Sequence, residues 1–187
     1  MSFHGRKKVD EKGKTVRKNN LDKKTKQSYE KEDVIGALNM PTMSMCFRNV
    51  LEKYPKEYFE AYCADRFVTS LLGWHGRAKY QKEISPGAHR LHEKSAFESE
   101  SSVRQIVHSA STRDKIGNYY FRIGKNEVAN RFEEQKIKKK ERIIRVALEK
   151  SGIMSAVYNF FKVIKRYIYM GNYNRVLKVI FRSAKYL

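Results

Sequence analysis

The apolar positions of this chain fall into three successive patterns. Through residue 98 they come in short runs broken by turn residues. From 99 to 150 they recur at helical spacing in a charged background. From 151 to 187 they are dense, aromatic and mixed with basic residues alone. In the first stretch Ser2-Phe3-His4 reads as the end of a strand, and Val9 and Thr15-Val16 flank a turn at Glu11-Lys12-Gly13-Lys14, the signature of a hairpin. Lys31 to Gly36 predicts a short helix with acids in its first turn and Gly at its end. Thr42 to Phe47 alternates apolar and small polar residues like a strand, or a strand leading into a helix. Arg48-Asn49-Val50-Leu51 predicts a helix stopped before Pro55. From Asp65, the residues Phe67, Val68, Leu71, Leu72 and His75 recur at helical spacing up to Gly76. Arg77 to Ile84 alternates as a strand, and Ser85-Pro86-Gly87 turns the chain toward His89-Arg90-Leu91-His92.

Beyond residue 98 the pattern is helical. Ser99 to Ser102 suits a linker or a helix cap. Val103, Ile106, Val107 and Ala110 form one stripe, and Ile116, Tyr119, Tyr120 and Ile123 another. A lysine-rich helix over Lys136 to Lys150 sets Ile143, Ile144 and Ala147 on one face. Gly171-Asn172 divides the last 37 residues into two helices. The expected fold class is α/β, α+β in appearance, with strands and short helices over 1–98, a helical region over 99–150, and a basic amphipathic helical tail over 151–187.

Charge sharpens this division. The formal net charge is +20. Residues 1–32 carry 11 basic and 5 acidic side chains, 33–120 carry 12 and 10, and 121–187 carry 17 and 5. The centre is close to neutral and the ends are basic, which suits an anionic partner: nucleic acid, an acidic membrane surface or a phosphate-bearing ligand. The tail has 7 Lys or Arg and no Asp or Glu, interleaved with Tyr158, Phe160, Phe161, Tyr167 and Tyr169. Basic amphipathic helices of this kind suit an anionic membrane surface, and the alternative is a pair of ordinary helices packed on the core. Nucleic acid is the weaker reading, because the basic residues match no nucleic-acid-binding motif. Cys46 and Cys63 are too few for a disulfide framework or a structural zinc site, and their apolar surroundings predict buried free thiols in a reducing cytoplasm. The start lacks the apolar core of a signal peptide, and no run of about 18 uncharged apolar residues occurs.

Candidate chemistry gathers between residues 40 and 92. Asp65 at a helix start is a good capping residue, contributing ~1 kcal/mol in that role. It is also a candidate general base, a role compatible with the first that speeds reactions by typically ~10²–10⁴-fold. Arg48 suits a structural salt bridge. Arg90 suits phosphate oxygens, and the flanking histidines are candidate ligands. The five aspartates at 10, 22, 33, 65 and 114 include no Asp-x-Asp pair, and no glycine-rich phosphate loop is present.

The order Pro41-Thr42 through Phe47-Arg48-Asn49, then Ala64-Asp65 with Leu71-Leu72-Gly73-Trp74-His75-Gly76-Arg77-Ala78-Lys79-Tyr80, then His89-Arg90-Leu91-His92, resembles the C-terminal half of bacterial family 2 glycosyltransferases. The resemblance covers about half the chain, residues 2 to 98, and implies part of a Rossmann-like GT-A domain lacking its nucleotide-sugar-binding half. It implies transfer of a sugar, with inversion, from a nucleotide-sugar donor to a cell-surface polysaccharide or lipid-linked acceptor. Asp65 becomes the general base, Arg48 and Arg90 contact substrate or diphosphate, and His92 lies at a divalent metal, Mn²⁺ or Mg²⁺. The family's usual tyrosine before the Arg is His89 here, and its glycines after the last His are Glu93-Lys94. A separate N-terminal half, a peripheral site on the inner membrane face, and a catalytically inactive remnant or adaptor are the attendant expectations.

Overall fold

The computed structural model describes residues 1–17, 25–92, 100–149 and 153–184. The end of the resemblance at 93–98 and the side chain of Ala147 lie outside the described residues. Among the described residues, six short strands form two three-stranded sheets. The first has the order β1 (Ser2–Phe3), β5 (Ala78–Tyr80), β4 (Ser28–Tyr29), with β1 and β5 parallel. The second has the order β3 (Thr15–Arg17), β2 (Arg6–Val9), β6 (Gly87–Arg90), with β2 and β6 parallel. The chain is thus a mixed α/β structure whose strands all precede its long helices.

The expected hairpin is β2–β3. Its turn closes on Asp10, whose Oδ1 accepts the backbone N–H groups of Lys12 and Lys14 at 3.0 and 2.8 Å, and Gly13 supplies the φ of +83° that the turn requires. Helix α1 is Lys31–Ile35. Gly36 follows it in an ordinary conformation, and Ala37 is the residue that turns left-handed, with φ +58°. Two expectations fail between Pro41 and Pro55. Thr42–Ser44 is a single 3-10 turn, after which Cys46 makes one antiparallel bridge to Ser2. No helix forms over Arg48–Leu51. Pro55 starts a helix instead of stopping one: it is the N-cap of α2 (Lys56–Phe59), where its missing N–H costs nothing. Cys46 is also exposed rather than buried, because the run around it lies at the surface.

Helix α3 (Ala64–Leu72) buries Phe67, Val68, Leu71 and Leu72, each contributing about 1.5–3 kcal/mol. A 3-10 turn, Gly73–His75, continues it. A Cβ on Gly73 would sit 2.4 Å from the backbone nitrogen of Ile35, so only glycine lets α1 approach so closely. The two predicted stripes after residue 100 belong to one long helix, α4 (Ser102–Arg122), capped by Ser101 Oγ accepting the Arg104 N–H at 3.3 Å. Gly124, at φ +72°, turns the chain back into α5 (Asn126–Glu149). One core joins these parts: Ile35 and Ala37, Phe67 and Leu71, Ile116 and Tyr120, Ala129 and Phe132. A second lies between α5, α6 (Ile153–Tyr169) and α7 (Tyr173–Ala184), from Ile137, Ile144, Val163, Tyr167 and Val179. The inner face of the tail therefore packs on α5, and Gly171, at φ +64°, makes the predicted break. No described helix is long and apolar enough to cross a membrane.

Candidate functional site

Asp65 lies in the first turn of α3, where a carboxylate is favoured by the helix dipole. It is not the cap: Cys63 holds that position, and its N–H donates to Thr112 Oγ1 of α4 at 3.0 Å. The Asp65 carboxylate is fixed from both sides. Thr42 Oγ1 donates to Oδ2 at 2.7 Å, and the backbone N–H of Arg66 donates to Oδ1 at 2.9 Å. One turn on, Thr69 Oγ1 donates to the Asp65 carbonyl at 2.8 Å and lies 3.8 Å from Met45 Sδ. The 3-10 turn at Thr42–Ser44 and the start of α3 are thus one polar unit. Asp65 is partly exposed, so an incoming hydroxyl has access to it.

Arg48 lies elsewhere. It is exposed and lines an open cavity of about 590 Å³ together with Phe47, Val50, Leu72, His75 and Arg77. It forms no ion pair among the described residues, so the salt-bridge reading does not hold there. Arg77 does pair, its Nε lying 2.9 Å from Glu30 Oε2. Asp65 is not among the residues lining this cavity.

Arg90 and His92 are both exposed, on β6 and just after it. The start of that strand lies near the Asp65 unit, since a Cβ on Gly87 would meet Met43 Cε at 3.2 Å. The strand then runs along β2, with His89 opposite Lys8 and Arg90 opposite Val9. Three residues at about 3.3 Å each carry Arg90 roughly 10 Å from that start. His89, rather than His92, takes part in the local polar network, with Nδ1 3.3 Å from Arg6 Nη1. No hydrogen bond or ion pair joins Asp65 to Arg48, Arg90 or His92 among the described residues. Nor do those residues include a group of three or more His, Cys, Asp or Glu able to hold a metal. Mn²⁺ or Mg²⁺ wants several oxygen donors, and an exposed His92 alone does not fit that demand.

Several residues of chemical interest escape a reading by motif. Thr42 opens the motif order but has no role assigned to it there, yet it orients Asp65. Arg66 reads as an ordinary helix charge, yet its guanidinium turns inward to the Ala37 carbonyl (3.1 Å) and Asn39 Oδ1 (2.5 Å). Burial pulls its pKa down from the usual arginine value. Cys63 is half-buried, and the same desolvation pushes its thiol up. In comparisons with known proteins, no family model, curated protein or solved structure matches the chain.

Proposed function

We propose that this chain is the acceptor-side part of a family 2 glycosyltransferase with a GT-A fold, and that Asp65 is its general base. In the reaction an acceptor hydroxyl oxygen attacks the anomeric carbon of a nucleotide-sugar. The bond from that carbon to the diphosphate breaks with inversion, the hydroxyl proton passes to Asp65, and the nucleoside diphosphate leaves. The observation that carries the reading is the Asp65 carboxylate itself: partly exposed, at a helix start, and oriented by Thr42 from a second segment of the same motif order. A base held by bonds that leave it accessible suits general-base catalysis. With no Asp-x-Asp pair in the sequence, the donor site would be completed by a separate N-terminal half. The acceptor is a polysaccharide or a lipid-linked glycan. No step is assigned to a metal.

The tail supports a place for this chemistry at an anionic membrane surface. The outer faces of α6 and α7 expose Tyr158, Phe161, Tyr169, Tyr173 and Leu177, each more than half exposed. The tail carries no acidic residue to oppose anionic lipid.

The test is calorimetric titration of the purified chain with a panel of nucleotide-sugars, followed by assay of nucleotide release with lipid-linked acceptors. Asp65→Asn should abolish release while sparing binding. Release that survives Asp65→Asn removes Asp65 as base. Failure of every nucleotide-sugar to bind the chain alone agrees with a donor site on a separate N-terminal half and leaves the fragment reading standing; release that stays absent when that half is supplied favours the second reading, an inactive adaptor.

A further inference from the structure

Four basic side chains meet where α3, α4 and α5 pack around the loop after α1. The meeting point is tied together bond by bond. Arg113 on α4 is 8% exposed. Its Nε donates to Gln135 Oε1 on α5 at 3.0 Å, and its Nη1 donates to the Ser109 carbonyl at 2.8 Å and to Ser109 Oγ at 2.7 Å. Gln135 Nε2 in turn donates to the Gly36 carbonyl at 3.3 Å. Arg66 on α3 holds the same loop at Ala37 and Asn39. The Cys63 N–H reaches Thr112, the residue before Arg113. Lys139 is one turn beyond Gln135 and so on the same face of α5, with Arg142 a further turn along.

Every acceptor in this ring is neutral. Arg113, Lys139 and Arg142 form no ion pair with a carboxylate among the described residues, and Arg113 Nη2 and the Lys139 ammonium take no hydrogen bond there. The mutual effect of these charges is visible in their acidity. Burial and the neighbouring Arg66 pull Arg113 down to about 10. Burial, together with Arg113, Arg66 and Arg142, pulls Lys139 down to about 8; the Cys63 thiol opposes this. Holding unpaired cations such as Arg113 and Lys139 together, the first buried and the second partly so, is costly. The arrangement is repaid when an anion enters it, because a phosphate group accepts several charge-assisted bonds at once.

We propose that the basic cluster carried by α3, α4 and α5 is a binding site for a phosphate group, with Arg113 and Lys139 as its principal contacts and Arg66 and Arg142 as flanking charges. Gln135 and Ser109 set the Arg113 guanidinium in place with Nη2 left to the ligand, and Lys139 adds a point charge. The phosphate is either that of a free phosphate or diphosphate ester or that of a lipid headgroup. The site stands independently of the sugar-transfer reading.

The experiment is thermal unfolding of the full chain at matched ionic strength in chloride, inorganic phosphate or pyrophosphate. A parallel flotation assay uses phosphatidylcholine vesicles with and without phosphatidic acid. The expected result is a rise in midpoint with pyrophosphate, or selective binding to the doped vesicles. The first identifies a free phosphate ligand and the second a lipid headgroup. Lys139→Gln should weaken either response by roughly tenfold or more, the usual worth of one charge-assisted bond. Without anion, Lys139→Gln should be no less stable than wild type, since it removes an unpaired charge. The pH profile supplies a readout that a purely structural role would not move. The folded-state pKa of Lys139 lies below its usual 10.5, so the unfolded chain holds the proton more tightly. Lys139 therefore contributes a gain in stability to the anion-free protein between about pH 8 and about pH 10, read as the difference between wild type and Lys139→Gln. Pyrophosphate should flatten that gain. Absence of any response to phosphate, pyrophosphate or doped vesicles would overturn the proposal, as would a response equal in wild type and Lys139→Gln.

Discussion

Replacing Tyr120 by Phe tests whether one hydroxyl locks α3, and Asp65 with it, against α1 and α4. Tyr120 is fully buried on α4. Its oxygen lies 2.9 Å from Ser70 Oγ and 3.2 Å from the Ser70 carbonyl, and it accepts Trp74 Nε1–H at 2.9 Å. Ser70 spends its own proton on the Ile35 carbonyl at 2.5 Å, so the Tyr120 hydroxyl must be the donor toward Ser70. That carbonyl ends helix α1 and has no partner within it. The cost of Tyr120→Phe then follows. Trp74 is 45% exposed and recovers a water, which leaves one buried bond lost and a small void. The sum is about 1–2 kcal/mol, or a midpoint about 2–8 °C lower for a chain of this size. Ser70→Ala should cost more, about 1–3 kcal/mol, because it strands the Ile35 carbonyl. Since the two share a network, the double variant should fall short of the sum of the singles by about 0.5 kcal/mol or more. Chemical denaturation of the four proteins measures this cycle. A neutral Tyr120→Phe, or strictly additive costs, would refute the idea that this bond network sets α3 in place.

Three further outcomes are expected. Gly73→Ala pushes a methyl group into the Ile35 backbone at 2.4 Å and should cost about 1–3 kcal/mol or more, read as a lower urea midpoint; a tolerated alanine would mean that α1 and α3 can slide apart. Glu57, 6% exposed on α2, receives Arg122 Nε and Nη2 at 2.7 and 2.9 Å, and those bonds hold its pKa below the usual 4.5 against the opposing effect of burial. Its stabilisation is therefore present above about pH 4.5 and lost as pH falls through the folded value, so the stability gap between wild type and Glu57→Gln should shrink on acidification; a gap independent of pH contradicts this. In vesicle co-sedimentation the tail should favour anionic over neutral lipid and release at high salt, and Phe161→Ser should weaken partitioning roughly tenfold or more; equal binding to neutral vesicles would remove the electrostatic part of the reading.

Local signals were legible wherever a residue type has one structural use. Gly13, Gly171 and Ser101 marked their turns and cap, because left-handed backbone and orphan N–H groups make specific demands. The stretch from Thr42 to Pro55 was misread because alternation alone cannot separate a strand from a surface run that borrows one bridge from Ser2. Pro55 was equally ambiguous, since proline both ends helices and begins them. The candidate base was legible and its setting was not. Asp65 stood out as an acid at a helix start, but its partner Thr42 is 23 positions away and became visible only when the chain had folded. The cluster of Arg66, Arg113 and Lys139 was hidden more thoroughly. Each reads as a solvated helix charge, and only the packing of three helices turns them inward.

That packing keeps two chemistries apart on one helical turn. Asp65 and Arg66 are adjacent in sequence, and successive side chains on a helix diverge by about 100°. Asp65 accordingly meets Thr42, while Arg66 meets Ala37 and Asn39 on the other side of α3. The carboxylate is thus spared direct ion-pairing with the guanidinium beside it, which would occupy the lone pairs a base needs. Arg66 itself is held by neutral acceptors, although Asp65 still favours its charge through space. The two functions should therefore separate by mutation. Asp65→Asn should leave the pyrophosphate response of the basic cluster intact, and Lys139→Gln should leave the Thr42–Asp65 pair intact. A pyrophosphate response lost with Asp65→Asn would mean that the carboxylate and the cations form one site, and that the divergence around α3 does not insulate them.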